Sequence, residues 1–160
     1  MKTKYLLLAT ALLTLCGGCA TTAVTPIERL KTDRTYAAST DVIWSNLVAE
    51  VSGKFQIQAI EKDSGLITTE YLNLGSGFAG WQQLKLYAYE PKVIFATWAG
   101  GARVRFSVLV QETETGSTVR INATFEGFDN NGSKQWHIWQ TNGRLENDWL
   151  DMLDRLTAKD

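Results

Sequence analysis

The residues from Arg103 to Phe125, RVRFSVLVQETETGSTVRINATF, contain the clearest structural pattern in the chain. Apolar and polar side chains alternate on both sides of a central polar segment, as expected of strands with one buried face. The segment from Thr113 to Ser117 has the composition of a turn. The pattern predicts two antiparallel strands joined as a hairpin. The residues expected on its buried face are Val104, Phe106, Val108, Val110, Val119, Ile121, Ala123 and Phe125.

Two amphipathic helices are predicted, one on each side of the strands. The first follows a short strand at Tyr36 and has Ser39 or Thr40 as its N-cap. The second is C-terminal and has Thr141 or Asn142 as its cap. Apolar residues recur at helical spacing in both, which indicates one buried stripe on each helix. These residues are Trp44, Leu47, Val48 and Val51 in the first helix, and Leu145, Trp149, Met152, Leu153 and Leu156 in the second.

Further strands are predicted between the helices. Residues 55–60 and 67–71 alternate around the turn from Lys62 to Gly65, and so predict a second hairpin. A strand from Gln135 to Thr141 follows the turn from Asp129 to Gly132.

The segment from Phe78 to Lys92 fits two structures. Trp81, Leu84 and Ala88 fit one face of a helix, whereas Leu84, Leu86 and Ala88 fit the alternation of a strand. We prefer the strand, and the helix stays open as the alternative.

Together these elements describe an α+β domain. We expect a single twisted antiparallel sheet of five to six strands with two helices packed on one face. Tyr36, the helix start from Asp41 to Leu47 and the hairpin from Lys62 to Ile67 resemble the helix-grip domains of BamC-type lipoproteins. BamC is an accessory lipoprotein of the outer-membrane β-barrel assembly machinery and carries two such domains. The resemblance implies a helix-grip fold and an envelope location, and no binding residue is transferred from it.

Residues 1–18 have the organisation of a secretory signal peptide. Lys2 and Lys4 precede the apolar run from Tyr5 to Leu15, which is shorter than the roughly 20 residues needed to span a bilayer. We therefore interpret this run as a leader that is removed.

The segment Leu15-Cys16-Gly17-Gly18-Cys19 resembles the bacterial lipobox, whose last Cys receives a diacylglycerol and becomes the mature N-terminus. Cys19 is the expected lipidation site, with fatty acids such as palmitate, although Cys16 stands where the lipobox usually has Leu. The alternative is an ordinary secreted protein with a free Cys. Ala20 implies, by the same resemblance, delivery to the outer membrane. Because both Cys residues lie in this motif, no thiol chemistry is expected in the domain.

Behind the anchor, residues 19–32 are interpreted as a lipidated tether and residues 33–160 as a single domain. Loss of Lys2 and Lys4 with the leader changes the formal net charge from −1 to −3. An acidic balance without a run of Lys or Arg argues against nucleic acid or anionic lipid headgroups as partners.

Motifs for chemistry are weak. Gly75 to Gly80 spells G-x-G-x-x-G, but its surroundings indicate antiparallel hairpins, so we expect a flexible loop. His137 is the only histidine and is expected on a surface or edge strand. The turn from Asp129 to Gly132 resembles a calcium loop, but position twelve is Gln140 instead of Glu. We expect no catalytic residue, metal or cofactor. The carboxylates expected to face solvent are Glu112, Glu114, Glu146, Asp148, Asp151 and Asp154.

The aromatic content is unusual, because six Trp occur in 160 residues. Trp44 and Trp149 lie on the helix stripes and are expected in the core. A second group surrounds the loops and the last strand, and Trp is enriched where proteins meet partners. This group either packs between helix and sheet or forms a partner or ligand surface. Its members are Phe78, Trp81, Trp98, Trp136 and Trp139.

The sequence thus favours a lipid-anchored binding or scaffold module on the periplasmic face of the outer membrane, with another envelope protein as its partner. The alternative is a carrier of a small apolar ligand held between the C-terminal helix and the sheet.

Overall fold

The computed structural model describes residues 30–158. The predicted leader, the lipobox and most of the tether lie outside the described residues. No helix within residues 30–158 is long and apolar enough to cross a membrane. The elements in chain order are β1 (Asp33–Tyr36), α1 (Thr40–Lys54), β2 (Ile57–Glu61), β3 (Leu66–Thr69), β4 (Leu72–Gly75), α2 (Gly77–Tyr87), β5 (Ala88–Tyr89), β6 (Ala102–Thr113), β7 (Gly116–Phe128), β8 (Trp136–Thr141) and α3 (Arg144–Thr157).

The strands form one open antiparallel sheet around the β6–β7 hairpin. The strand order is β2-β3-β6-β7-β8-β5, with β4 beside the start of β6 and β1 beside the start of β7. Pairing within the hairpin is continuous from Ala102 opposite Gly127 to Thr113 opposite Gly116. The predicted hairpin and all eight of its predicted buried positions are confirmed.

The three helices cover one face of this sheet. The Trp149 ring of α3 lies 5.5 Å from the Phe106 ring, measured between centroids, and Phe55 at the end of α1 lies 4.8 Å from Phe106. Gly80 of α2 lies against Ala102. Because Ala102 and Phe106 share the buried face of β6, the helices lie on the same side.

The α+β class and the antiparallel sheet are confirmed, but the predicted element counts are wrong. The described residues form eight strands instead of five to six, and three helices instead of two. The additional strands are short: β4 has four residues and β5 has two. Strands of this length contain too few residues for a recognisable alternation.

The preference for a strand across residues 78–92 is wrong, because α2 runs from Gly77 to Tyr87. Leu84 is fully buried, whereas Leu86, which the strand pattern placed beside it, is 41% exposed. The flexible loop expected at Gly75 to Gly80 is wrong as well. Gly75 and Gly77 have φ angles of 110° and 62°, and their positive-φ backbone turns the chain from β4 directly into the helix.

Glu146 corrects the expectation that all α3 carboxylates face solvent. β1 and β8 pair with opposite ends of the same side of β7 and leave a gap between them. Glu146 is fully buried there, where its Oε1 accepts the backbone N–H of Ala123 at 3.2 Å and its Oε2 accepts the Thr141 hydroxyl at 2.9 Å. The Glu146 side chain thus supplies an acceptor for the backbone N–H of Ala123, which has no partner in a neighbouring strand.

The predicted caps of α3 are displaced by one or two residues. Gly143 occupies the N-cap with φ 84°. Thr141 and Asn142 use their side-chain oxygens to accept the N–H groups of Gly143 and Arg144. A Cβ at position 143 would lie 2.8 Å from the carbonyl oxygen of Leu30, so the close approach of the incoming chain requires glycine.

Candidate functional site

The start of α2 presents aromatic side chains to solvent. Phe78 and Trp81 lie one helical turn apart, and their ring centroids are 5.5 Å from each other. Gly80 holds this turn close to the sheet, because a Cβ there would come within 2.5 Å of the Gly75 carbonyl oxygen. Phe78 is 68% exposed.

A groove of about 370 Å³ runs between these rings and the β5–β6 loop, and we call it the aromatic groove. Its walls are mostly apolar, and its lining residues are Gly77, Phe78, Trp81, Glu90, Ala96, Thr97, Trp98 and Ala99. The backbone N–H of Gly77 donates to the Ala99 carbonyl at 2.9 Å and so joins the two walls. Of the five aromatic residues grouped in the sequence analysis, Phe78, Trp81 and Trp98 therefore line this one groove.

The polar end of the aromatic groove is formed by Glu90. Its carboxylate accepts the Trp98 indole N–H at 2.6 Å and the Lys85 ammonium at 3.2 Å. The Lys85 ammonium in turn lies over the Trp81 ring, 5.5 Å from its centroid. These contacts fix the orientation of both indoles before any partner binds.

Trp98 and Trp139 form the floor beneath the groove. Both are buried, and their rings meet edge to face with centroids 5.3 Å apart. Trp98 offers one edge to the groove, whereas Trp139 lies wholly within the core. Trp139 therefore supports the site without reaching its surface.

Trp136 lies on the opposite face of the sheet from the aromatic groove. Its ring stacks on the Arg103 guanidinium at 3.9 Å, and Arg103 also lies 4.1 Å from the Tyr71 ring. Glu126 accepts from Arg103 Nε at 2.7 Å and from the Tyr71 hydroxyl at 2.8 Å. Burial, followed by this hydrogen bond, raises the pKa of Tyr71. Trp136 is thus held in a cation–π cluster of its own, with Tyr71, Arg103 and Glu126 as members that the sequence did not indicate.

The β5–β6 loop is held against the β7–β8 turn by the buried carboxylate of Asp129. This carboxylate accepts the backbone N–H groups of Thr97 (3.1 Å), Asn131 (3.0 Å), Gly132 (3.0 Å) and Ser133 (2.6 Å), and also the Ser133 hydroxyl (3.0 Å). The N–H of Ser133 and its neighbours hold the pKa of Asp129 well below its ordinary value, although burial opposes them. The calcium-like sequence thus forms the expected turn, and its carboxylate is occupied by protein donors.

His137 is half-buried on the helix-covered face of β8. Its Nε2 lies 2.6 Å from the Ser133 Oγ, and its ring meets Trp98 edge to face. A catalytic relay requires the carboxylate to contact the histidine. Here Asp129 contacts Ser133 instead, so the three side chains are not arranged as a relay.

Other clefts offer less to a ligand. One cleft, of about 850 Å³, lies between the start of α1 and the β2–β3 and β6–β7 turns. Its rim is polar and carries exposed Glu112 and Glu114, as well as an ion pair of 2.9 Å between Lys62 and Asp41. Within residues 30–158, no three His, Cys, Asp or Glu side chains converge to hold a metal ion.

The exposed apolar pair Ile94 and Phe95 was missed at the sequence level. Both lie in the β5–β6 loop, with 81% and 82% of their surfaces exposed. The only sequence signal is the short apolar run from Val93 to Ala96, which does not distinguish a buried loop residue from an exposed one.

In comparisons with known proteins, no family model matches the chain and no curated protein matches its sequence. The resemblance to BamC-type domains therefore stays a prediction.

Proposed function

We propose that this protein is a lipid-anchored, non-catalytic binding module of the outer membrane that faces the periplasm. In this proposal the aromatic groove receives an apolar side chain of another envelope protein. The observation that carries it is the open groove in which exposed Phe78 faces the pre-oriented rings of Trp81 and Trp98. Aromatic anchors in such positions commonly dominate protein interfaces.

The open shape of the groove favours a protein partner over an enclosed ligand. Sites for small molecules typically measure about 300–1,000 Å³ and surround most of the ligand. This groove, at about 370 Å³, is small and open along its length. An apolar side chain presented from one side by a protein would fit it without being enclosed.

No observation favours the alternative carrier function. The space between α3 and the sheet is filled by Phe55, Phe106 and Trp149, whose ring centroids lie between 4.8 and 5.7 Å apart. We therefore do not propose a carried ligand there.

Site-specific photocrosslinking in intact cells tests the binding role. A photoreactive amino acid at position 78 should form an adduct with an envelope protein, whereas one at exposed position 64, in the β2–β3 turn, should not. The variant Phe78→Ser should no longer retain the crosslinked partner in affinity purification. Its thermal unfolding should be unchanged, because Phe78 is largely exposed. Equal adducts at positions 78 and 64, or no adduct at position 78, would count against the proposal.

A further inference from the structure

The β5–β6 loop ends in a convex apolar point formed by Ile94 and Phe95, which we call the apolar tip. With 81% and 82% of their surfaces exposed, these are the two most exposed of the large apolar residues described. The aromatic groove is concave and lies beside them, since Ala96 belongs to its wall. The tip is therefore a separate surface of opposite shape.

The tip is held in place rather than left free to fold inward. The Phe95 carbonyl accepts the Asn131 side-chain amide at 3.2 Å. The Thr97 carbonyl accepts the Asn130 N–H, and the Thr97 N–H donates to the Asp129 carboxylate. Phe95 has a φ of 61°, a left-handed conformation that is uncommon for a bulky residue. Such strain without compensating burial is typical of a functional segment.

Two exposed lysines lie in the segments that form and brace the tip. Lys92 precedes it by two residues, and Lys134 lies exposed at the end of the turn that braces it. The nearby carboxylates of Glu90 and Asp129 already accept protein donors. An apolar point flanked by lysines complements an anionic lipid surface, into which apolar side chains insert while the lysines stay among the headgroups.

The tether allows the tip to meet the membrane that would hold the anchor. The described chain begins at Leu30, whose N–H donates to the Asn142 carbonyl just after β8. The tip lies beyond the opposite end of β8, a strand of six residues that spans about 20 Å. The eleven residues from 19 to 29 can reach about 36–40 Å when extended. The anchor and the tip can therefore contact one bilayer together.

We propose that the apolar tip inserts into the headgroup region of a bilayer that contains anionic phospholipid, as a second membrane contact beside the lipid anchor. The inference rests on the proposed function for the anchor. A convex apolar point suits a lipid surface, whereas a protein hot spot is more often accommodated in a well-packed pocket. The acidic net charge argued against anionic headgroups as partners of the whole domain. The tip departs from that expectation, because Lys92 and Lys134 place positive charge near one exposed apolar pair.

The test compares two probes on the full chain in vesicles of phosphatidylethanolamine and phosphatidylglycerol. Ile94→Cys and, as a matched control, Ser64→Cys carry an environment-sensitive fluorophore, and mass spectrometry verifies single labelling. Both positions are exposed, so neither variant should disturb folding. The probe at position 94 should shift to shorter wavelength and lose most of its emission to brominated lipid, while the probe at position 64 stays in water. Lys92→Glu with Lys134→Glu should diminish the effect.

Equal, water-like emission from both probes on vesicle-bound protein would overturn the proposal. Shielding of position 94 in cells but not on vesicles would overturn it too, since a protein would then cover the tip. Mass spectrometry of Cys19 reports separately on the anchor. Both variants are compared only as lipidated, vesicle-bound protein, so a missing anchor is distinguished from a tip that stays in water.

Discussion

At the scale of single residues, two buried carboxylates connect elements by accepting backbone N–H groups that strand pairing leaves without a partner. Glu146, in the first turn of α3, accepts hydrogen bonds from β7 and from the end of β8. Asp129 accepts hydrogen bonds from the β7–β8 turn and from the β5–β6 loop. Glu146 could have been identified from the sequence. It precedes Trp149, Leu150 and Leu153 by three, four and seven positions, so it lies on the buried stripe of the helix. Asp129 gave no such signal, because its donors come from backbone folded around it.

Substitution of Glu146 by Ala should lower the free energy of unfolding by about 1–3 kcal/mol, because the buried N–H of Ala123 loses its acceptor. Urea unfolding followed by circular dichroism measures the change. Asp148→Ala, an exposed position in the same helical turn, is the matched control and should cost less than about 0.5 kcal/mol. Similar values for both variants would show that Glu146 does not close the sheet.

Asp129→Asn should destabilise the protein at neutral pH, and this loss should shrink in acid. The folded pKa of Asp129 lies below the unfolded value of about 3.9, so its contribution is fully present above that pH. It is lost as the pH falls further through the folded pKa. Urea unfolding at pH 7, 5 and 3 checks this, with Asp63→Asn in the exposed β2–β3 turn as control. A difference between wild type and Asp129→Asn that stays constant down to pH 3 would exclude this linkage.

At the scale of elements, the strength of the local pattern decided what could be predicted. The β6–β7 hairpin, α1 and α3 have long apolar repeats and were predicted in the right places. α2 was not, because its position depends on contacts that have no periodic signature: positive φ at Gly75 and Gly77, and the approach of Gly80 to the Gly75 carbonyl. The aromatic groove could be anticipated only as a grouping of Phe78, Trp81 and Trp98. Which of the indoles reach the surface depends on the tertiary fold.

Two glycine substitutions test the placement of α2. Gly80→Ala should destabilise the protein by roughly 1–3 kcal/mol, because its methyl group would meet the Gly75 carbonyl oxygen at 2.5 Å. Gly53→Ala in α1 meets nothing within 4 Å and should stabilise by about 0.5–1 kcal/mol. Thermal and urea unfolding of both variants provide the comparison. A stabilising Gly80→Ala would mean that α2 does not pack against β4 as described.

At the scale of the whole molecule, the helices and the central hairpin form one filled core, and the two proposed binding surfaces lie on its outside. The aromatic groove and the apolar tip both depend on the β5–β6 loop, which Asp129 and Glu90 brace. The proposed anchor would hold these surfaces near the membrane through residues 19–29. Anchoring of the protein at the membrane is therefore the central claim, because the proposed roles of both surfaces depend on it.

Metabolic labelling with radioactive palmitate tests that claim most directly. The wild-type chain should incorporate label and Cys16→Ala should retain it, because Cys16 is predicted to leave with the leader, whereas Cys19→Ala should incorporate none. Label that persists in Cys19→Ala, or is absent from the wild type, would contradict lipid anchoring at Cys19.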